Sequence, residues 1–163
     1  MKLSRTTGII LLIVGNIAID QISKIVVRQT IIPGERIKVI DDIFLMMNVE
    51  NTGAFLGMGS DMNPKLKLIF LLILPVGVLG YLLYYIITNK SLDKISKVAL
   101  CCIAGGGIAN VFDRIVYGSV TDFFYLDFGG IFHTGIFNVA DMSVTFGMLA
   151  LLYGSFFHKK TTS

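Results

Sequence analysis

Four long apolar runs, separated by shorter polar stretches, dominate the pattern of this chain. They cover residues 7–27, 66–87, 98–116 and 136–157. Each approaches or reaches the ~20 residues needed to cross a hydrocarbon core, so the pattern predicts four transmembrane helices. The first run starts behind Lys2 and Arg5, as a secretion signal does, yet no small-residue cleavage site follows. Its apolar pattern resumes after Asp20-Gln21 with Ile22, Ile25, Val26 and Val27, which predicts an uncleaved helix. The second run carries Pro75 and Gly77, predicting a kink whose freed carbonyls are satisfied by neighbouring groups. In the third, only residues 98–112 lack charge. Asp113 and Arg114 must cap that helix near the interface or sit slightly within the bilayer.

The segments between the runs predict smaller elements. About forty residues join the first two runs, too many for a simple turn. Within them, residues 37–40 and 44–49 are β-prone and flank Asp41-Asp42, which reads as a short hairpin. Pro33-Gly34 before it signals a turn. The Gly-rich stretch 51–59 after it is expected to dip back towards the bilayer. Residues 30–62 are therefore predicted to form a small β platform on the outer membrane face. Residues 117–135, rich in Phe, Tyr and Gly, suit an interfacial flap or helix at the lipid headgroups, with Asp122 on a strand or loop. The expected architecture is one all-α membrane domain, 1–163, bearing this platform and flap, with no internal repeat.

Composition sharpens the solvent. With 54% hydrophobic and 15% charged residues and a mean hydropathy of +0.76, a water-soluble domain is excluded. The net charge of +3 reflects Lys and Arg anchors at the ends of runs. No basic patch with interleaved aromatics points to nucleic acid. Four spans put both termini on one side. Lys2, Arg5, Lys90, Lys94, Lys97, Lys159 and Lys160 predict that this side is cytoplasmic, since 115–135 carries no Lys or Arg. Arg28, Arg36, Lys38, Lys65 and Lys67, between the first two runs, work against that bias.

The chemistry follows from where this topology puts the polar residues. Asp20, Asn51, Asn110, Asp113, Arg114, Asp122, Asn138 and Asp141 all fall near the outer interface. Ionisable groups at such depth are expensive and usually face a bundle interior or a reaction centre. Two acids meeting in a low-dielectric site share one proton more easily than they both ionise, so one can act as acid and the other as base. Each residue also has a plainer reading. Asp113 with Arg114 suits an ion-paired helix end, Asp122 an N-cap or solvated loop acid, and Asp20 a bond to a backbone amide. Asn51, Asn110 and Asn138 suit interhelix hydrogen bonds. Gly105-Gly106-Gly107 suits close helix approach rather than a nucleotide loop. Asp141, five residues into an apolar run without an adjacent cation, resists a merely structural reading.

Other chemistries find no residues. Cys101-Cys102 is neither a CxxC redox pair nor a metal pair, which leaves apolar packing. His133 and His158 fall on opposite membrane sides and cannot share a metal. No Ser or Cys stands in a nucleophile setting with a His. Carboxylate chemistry remains, without metal or cofactor, and both Asp113 and Asp122 are candidates to pair with Asp141.

Five ordered motifs then carry a resemblance. Asp20-Gln21-x-x-Lys24, Asn51-Thr52-Gly53-Ala54-Phe55, Gly107-x-x-Asn110-x-x-Asp113-Arg114, Val120-Thr121-Asp122-Phe123 and Phe137-Asn138-Val139-Ala140-Asp141 resemble those of the bacterial lipoprotein signal peptidases (signal peptidase II). The likeness spans nearly the whole chain. It departs where Phe55 directly follows Gly53-Ala54, since many members carry a second Ala there. The resemblance implies that Asp122 and Asp141 are the catalytic pair. Asp113 and Arg114 become supporting residues, while Asp20, Lys24, Asn51, Gly53, Gly107, Asn110, Asn138 and Ala140 line or brace the pocket. It implies as substrate a prolipoprotein whose Cys already bears diacylglycerol, cut just before that Cys at the outer face of the cytoplasmic membrane. Globomycin is the expected inhibitor, membrane lipids the surroundings, and a monomer the expected state. A rival reading is a small proton- or ion-coupled transporter, whose fold often shows inverted repeats and half-helices meeting at the midplane. Another is a non-enzymatic assembly factor binding through the β platform.

Overall fold

Inside hydrocarbon every backbone N–H and C=O must find its partner within the protein, and each apolar run does so as a helix. The computed structural model describes residues 4–54 and 57–157. Its helices are α1 (Arg5–Thr30), α2 (Pro64–Thr88), α3 (Lys94–Tyr117) and α4 (Val139–Phe157), all long and apolar enough to cross a membrane. Lys2, Phe55, His158, Lys159 and Lys160 lie outside the described residues.

Helix ends sit where side chains can hold the orphan N–H groups. Ser4 Oγ accepts from Thr7 N at 3.1 Å and Asn63 Oδ1 from Lys65 N at 2.9 Å. Asp93 Oδ1 accepts from Ile95 N and Ser96 N at 2.9 and 3.0 Å, so α3 begins ahead of its apolar run. The α3 helix stops at Gly118, whose φ of 77° is a left-handed cap that costs glycine little. Arg5, in the first turn of α1, donates to the carbonyls of Ile86, Ile87 and Asn89 at the end of α2. The kink predicted from Pro75 is a π-helical stretch over Leu68–Ile73. Pro75 has no N–H for the Leu71 carbonyl, and just before it the turn widens so that Leu74 N reaches Ile69 O.

The α3 helix is the hub, and Gly105-Gly106-Gly107 is the reason. A Cβ at Gly105 would lie 2.7 Å from Asn16 Cβ on α1, and one at Gly107 would lie 2.6 Å from Leu79 Cδ2 on α2. A Cβ at Gly106 would collide with the Ala140 carbonyl of α4. Adjacent residues are rotated by about 100° around a helix, so three successive glycines open three faces to three neighbours. Ile9, Ile13, Ile86, Cys101 and Ala104 form the main core cluster. The cysteines are free thiols, Cys101 fully buried within that cluster.

The β platform is a three-stranded antiparallel sheet in the order β1 (Arg36–Ile40), β2 (Phe44–Asn51) and β3 (Val120–Leu126). The expected hairpin is present, its turn passing through Asp41 at φ 43°. Of the alternatives expected for 117–135, the interfacial helix is not formed, and Asp122 lies on a strand. The first half of the segment is β3, an integral strand, and no residue between 118 and 138 is helical. Gly118 ends α3 abruptly, and the β-prone Val-Thr-Asp-Phe-Phe-Tyr-Leu run can then add to β2. The chain returns alongside β3, with Phe124 paired to Phe137 and Asp127 to His133. Val27, Ile31 and Phe123 form a second core cluster where α1 meets the sheet.

Close packing at the hub makes a prediction. Gly106→Ala forces α3 and α4 apart and is expected to cost about 1–3 kcal/mol, lowering the unfolding midpoint in detergent. Gly80→Ala, with nothing within 4 Å of the added Cβ, is expected to leave it unchanged or raise it slightly. Equal midpoints for the two variants would contradict the close approach.

Candidate active site

The site is built upward from a buried cation. Lys24 of α1 is 0% exposed, and its ammonium meets three oxygens: Asp20 Oδ2 at 2.7 Å, Asp113 Oδ2 at 2.6 Å and Asn110 Oδ1 at 2.9 Å. Asp20 and Lys24 are four residues apart and so share a helix face. Asp113 and Asn110, three apart on α3, face them. An ammonium has three hydrogens and no acceptor capacity, so its donors are fully used. Gln21 Nε2 adds bonds to Asp113 Oδ1 at 2.9 Å and Asp20 Oδ2 at 3.3 Å. The other Asp20 oxygen accepts from Ala140 N at 2.8 Å, tying this cluster to the start of α4.

Because Lys24 only donates, Asn110 must turn its oxygen towards it. The Asn110 amide nitrogen therefore points the other way and donates to Asp141 Oδ1 at 3.0 Å. Asp141 is also held by its own helix end. Asn138 precedes α4, its Oδ1 accepting from Asp141 N at 2.9 Å while Asp141 Oδ2 accepts from Asn138 N at 3.1 Å. This reciprocal pairing is a capping box with Asp in place of the usual Glu or Gln. The Asn138 side-chain nitrogen remains, and it donates to Asp122 Oδ1 at 2.6 Å and to Asn110 Oδ1 at 3.2 Å. One asparagine thus grips both acids.

Strand pairing brings Asp122 to that position. Phe137 N donates to Phe124 O at 2.9 Å, and Phe123 N and Phe124 N donate to Phe137 O, which lays Asn138 beside Asp122. On the other side, Asp122 is paired with Val49 of β2. Asn51, two residues further along the same face, is its diagonal neighbour and donates from Nδ2 to Asp122 Oδ2 at 2.8 Å. Asn51 also organises the loop after β2, accepting from Gly53 N at 2.8 Å and donating to Ala54 O at 3.0 Å. Arg114 Nη2 donates to Gly53 O at 2.7 Å. A side chain at Gly53 would meet the Met58 carbonyl at 2.6 Å, which explains the glycine.

Eleven of the twelve residues singled out from sequence meet here. Gly107 does not, since its open face receives Leu79 and serves packing alone. Asp113 and Asp122, equivalent on local sequence, have opposite surroundings. Asp113 is ion-paired, whereas Asp122 receives only neutral amides. Burial pushes the Asp122 carboxyl up to about 6, with the nearby Asp141 adding to the shift while the Asn51 and Asn138 amides and Lys24 oppose it.

A polar brace beside the site was not read from sequence. Arg28, in the last turn of α1 rather than in the loop, donates from Nε to Thr121 Oγ1 at 2.7 Å and stacks 3.9 Å from the Tyr117 ring centroid. Thr121 and Ser119 both donate to the Glu50 carboxylate, at 2.8 and 2.5 Å. The strand register that pairs Glu50 with Thr121 was the missing information.

Each acid lines a cleft of its own. One of about 310 Å³ is lined by Val49, Glu50, Asn51, Thr52, Ser60 and Asp122. The other, of about 400 Å³, is mostly apolar and is lined by Phe132, Phe137, Asp141, Met142, Thr145 and Phe146. Among the described residues, no group of three His, Cys, Asp or Glu side chains comes together as a metal site.

Fold and site together define a polytopic membrane protein with a paired-carboxylate centre at one end of its bundle. The chain belongs to the signal peptidase II family: the family model for Signal peptidase (SPase) II matches residues 11–157. It is similar to the lipoprotein signal peptidase of Borreliella burgdorferi strain ZS7, 36% identical over 158 residues, covering 94% of this chain and 92% of the relative. The Clostridium tetani lipoprotein signal peptidase is 34% identical over 143 residues, 88% of each chain. A solved bacterial membrane enzyme superposes with a TM-score of 0.80 at 27% identity, covering 96% of this chain and 93% of the other. The chain is a multi-pass bacterial membrane peptidase.

The raised Asp122 carboxyl has a consequence for stability. Below about pH 4 the group is protonated in folded and unfolded chains alike. Between about 4 and 6 the unfolded chain ionises while the folded one keeps its proton. Stability from this group therefore falls as pH rises through that window, by on the order of 3 kcal/mol, and is level above it. Asp122→Asn is expected to remove that slope in unfolding curves measured from pH 4 to 7. An unchanged slope in the variant would contradict the assignment.

Proposed function

We propose that this chain removes signal peptides from diacylglyceryl-modified prolipoproteins, hydrolysing the bond just before the lipidated Cys at the outer face of the cytoplasmic membrane. The observation that carries the reading is the pair Asp122 and Asp141, gripped by Asn138, with one cleft opening on Asp122 and a mostly apolar one on Asp141. The relatives' shared name, lipoprotein signal peptidase, supports the substrate. A diacylated Cys must stay in lipid while its peptide bond needs water. The apolar cleft beside Asp141 suits the acyl chains, and the cleft beside Asp122, which carries Glu50, Asn51, Thr52 and Ser60, suits the peptide.

In this mechanism Asp141 is the ionised base. It occupies the first turn of α4, where unpaired N–H groups favour negative charge. With a second carboxylate beside it, the pair does not readily ionise twice, and Asp122, whose carboxyl burial raises, holds the shared proton in the working state. A water between them gives a proton to Asp141 and attacks the scissile carbonyl as Asp122 protonates its oxygen. The gem-diol collapses when Asp141 passes its proton to the leaving amine and a diol hydroxyl returns one to Asp122. The pair then stands as it began, without a covalent intermediate or a metal.

The remaining residues position this chemistry. Asn51 and Asn138 orient Asp122, while Asn110 orients Asp141. The Lys24, Asp20 and Asp113 cluster holds Asn110, Ala140 anchors Asp20 to α4, and Arg114 fixes the loop at Gly53. Every group comes from one chain, which supports a monomer working among membrane lipids. The Lys and Arg residues at the opposite end of the bundle support cytoplasmic termini and an active site near the outer leaflet. Globomycin is expected to occupy the same clefts. The transporter reading gains nothing from a structure whose acids gather at one face.

Asp122→Asn and Asp141→Asn are each expected to slow cleavage of a diacylglyceryl-modified prolipoprotein by at least roughly 10²–10⁴-fold, while the variants still insert and fold. Gel shift of the lipidated substrate, with and without globomycin, measures this. Near-normal turnover by either variant would sink the dyad. EDTA is expected to leave the rate intact, and a loss restored by zinc would overturn the metal-free mechanism.

A further inference from the structure

The loop between β3 and α4 carries apolar side chains where a turn usually carries polar ones. Tips of water-exposed turns favour Gly, Pro, Asn, Asp and Ser. Here Asp127-Phe128-Gly129-Gly130-Ile131-Phe132-His133 leaves Ile131 95% exposed, Phe132 63% and Phe128 51%. The tip is a defined structure. Asp127 Oδ1 accepts from Gly130 N at 2.8 Å, and Phe128 N donates to Phe132 O at 2.8 Å. Thr134 clamps its base, donating from N to Leu126 O at 2.9 Å and accepting at Oγ1 from Leu126 N at 3.0 Å. Gly129 and Gly130, at φ 73° and 74°, supply the left-handed backbone that the turn needs. The fold therefore holds apolar groups outward at a fixed place.

The position of the tip identifies its occupant. Phe132 and Thr134 line the same cleft as Met142, Thr145 and Phe146 of α4. Phe146 lies seven residues, about 10 Å, along a membrane-spanning helix from its start at Val139, and it is itself exposed on the lipid side. The loop side chains thus continue the apolar surface of the span. No Lys or Arg occurs between 115 and 135, and Asp127 and His133 pair with each other at the base of the tip, leaving the apolar residues beyond them.

We infer that the 127–134 tip inserts Phe128, Ile131 and Phe132 into the acyl-chain boundary of the outer leaflet. There it holds one wall of the cleft beside Asp141 at the depth of lipid chains. The insertion stands on geometry alone, while its benefit to catalysis rests on the proposed peptidase reading.

The chain contains no Trp, so Ile131→Trp gives a single reporter. In vesicles of phosphatidylethanolamine and phosphatidylglycerol, its emission is expected to be blue-shifted, quenched by acyl-brominated lipid and shielded from acrylamide. Asp42→Trp, on the turn after β1, serves as the exposed reference. Acrylamide quenching equal to that reference, with no effect of brominated lipid, would overturn the inference. So would shielding from both quenchers, which would place a second copy or another protein on the tip. In a second arm, Ile131→Asp is expected to raise KM for a vesicle-embedded diacylglyceryl peptide about tenfold with little change in kcat. A loss confined to kcat would contradict the anchoring role. The fluorescence needs no turnover, so an inactive chain would refute the peptidase reading and leave the insertion standing.

Discussion

A lysine ammonium sealed inside a membrane bundle is the constraint on which the site depends. Lys24 reaches no water, so its three hydrogens must all be received by protein, and they are received by Asp20, Asp113 and Asn110. Removing one member of such a buried pair leaves an uncompensated charge, at a cost of about 3–5 kcal/mol. The arrangement joins α1 to α3 and, through Asp20 and Ala140 N, to α4. It also decides which way the Asn110 amide faces. That orientation sends a donor to Asp141, so the ion cluster and the proposed dyad are two ends of one network.

Two local structures convert that scaffold into a site. The capping box at the start of α4 fixes Asp141 by the same hydrogen bonds that begin the helix. The pairing of β3 with the chain before α4 sets Asp122 beside the cap residue Asn138. A single amide then spans both acids. Both acids are held by neutral amides, and Asp141 stands in addition at a helix start.

How much of this was legible depended on the range of the interaction. Run length alone gave four helices, because the bilayer makes every span satisfy its own backbone. The Asp41-Asp42 hairpin and the packing role of Gly105-Gly106-Gly107 were also local and readable. The third strand was legible only as one alternative at Asp122, since Phe, Tyr and Gly in 117–135 suit an interface as well as a sheet, and only pairing with β2 decides. Asp113 and Asp122 could not be separated on local sequence, because the difference lies in Lys24, almost ninety residues away from Asp113 in the chain. Arg28, Glu50 and Thr121 were missed for the same reason, their contacts being set by strand register. The ordered motifs resembled a known family and so carried long-range information that periodicity lacks.

The central claim is that the two acids activate water directly. A single turnover of the purified chain in ¹⁸O-labelled water, with a diacylglyceryl-modified prolipoprotein in excess of neither enzyme nor label, tests it by mass spectrometry. The account predicts one ¹⁸O atom in the new carboxylate of the released signal peptide and none in Asp122 or Asp141. An unlabelled signal peptide with ¹⁸O in either aspartate would show attack by that carboxylate and contradict the account.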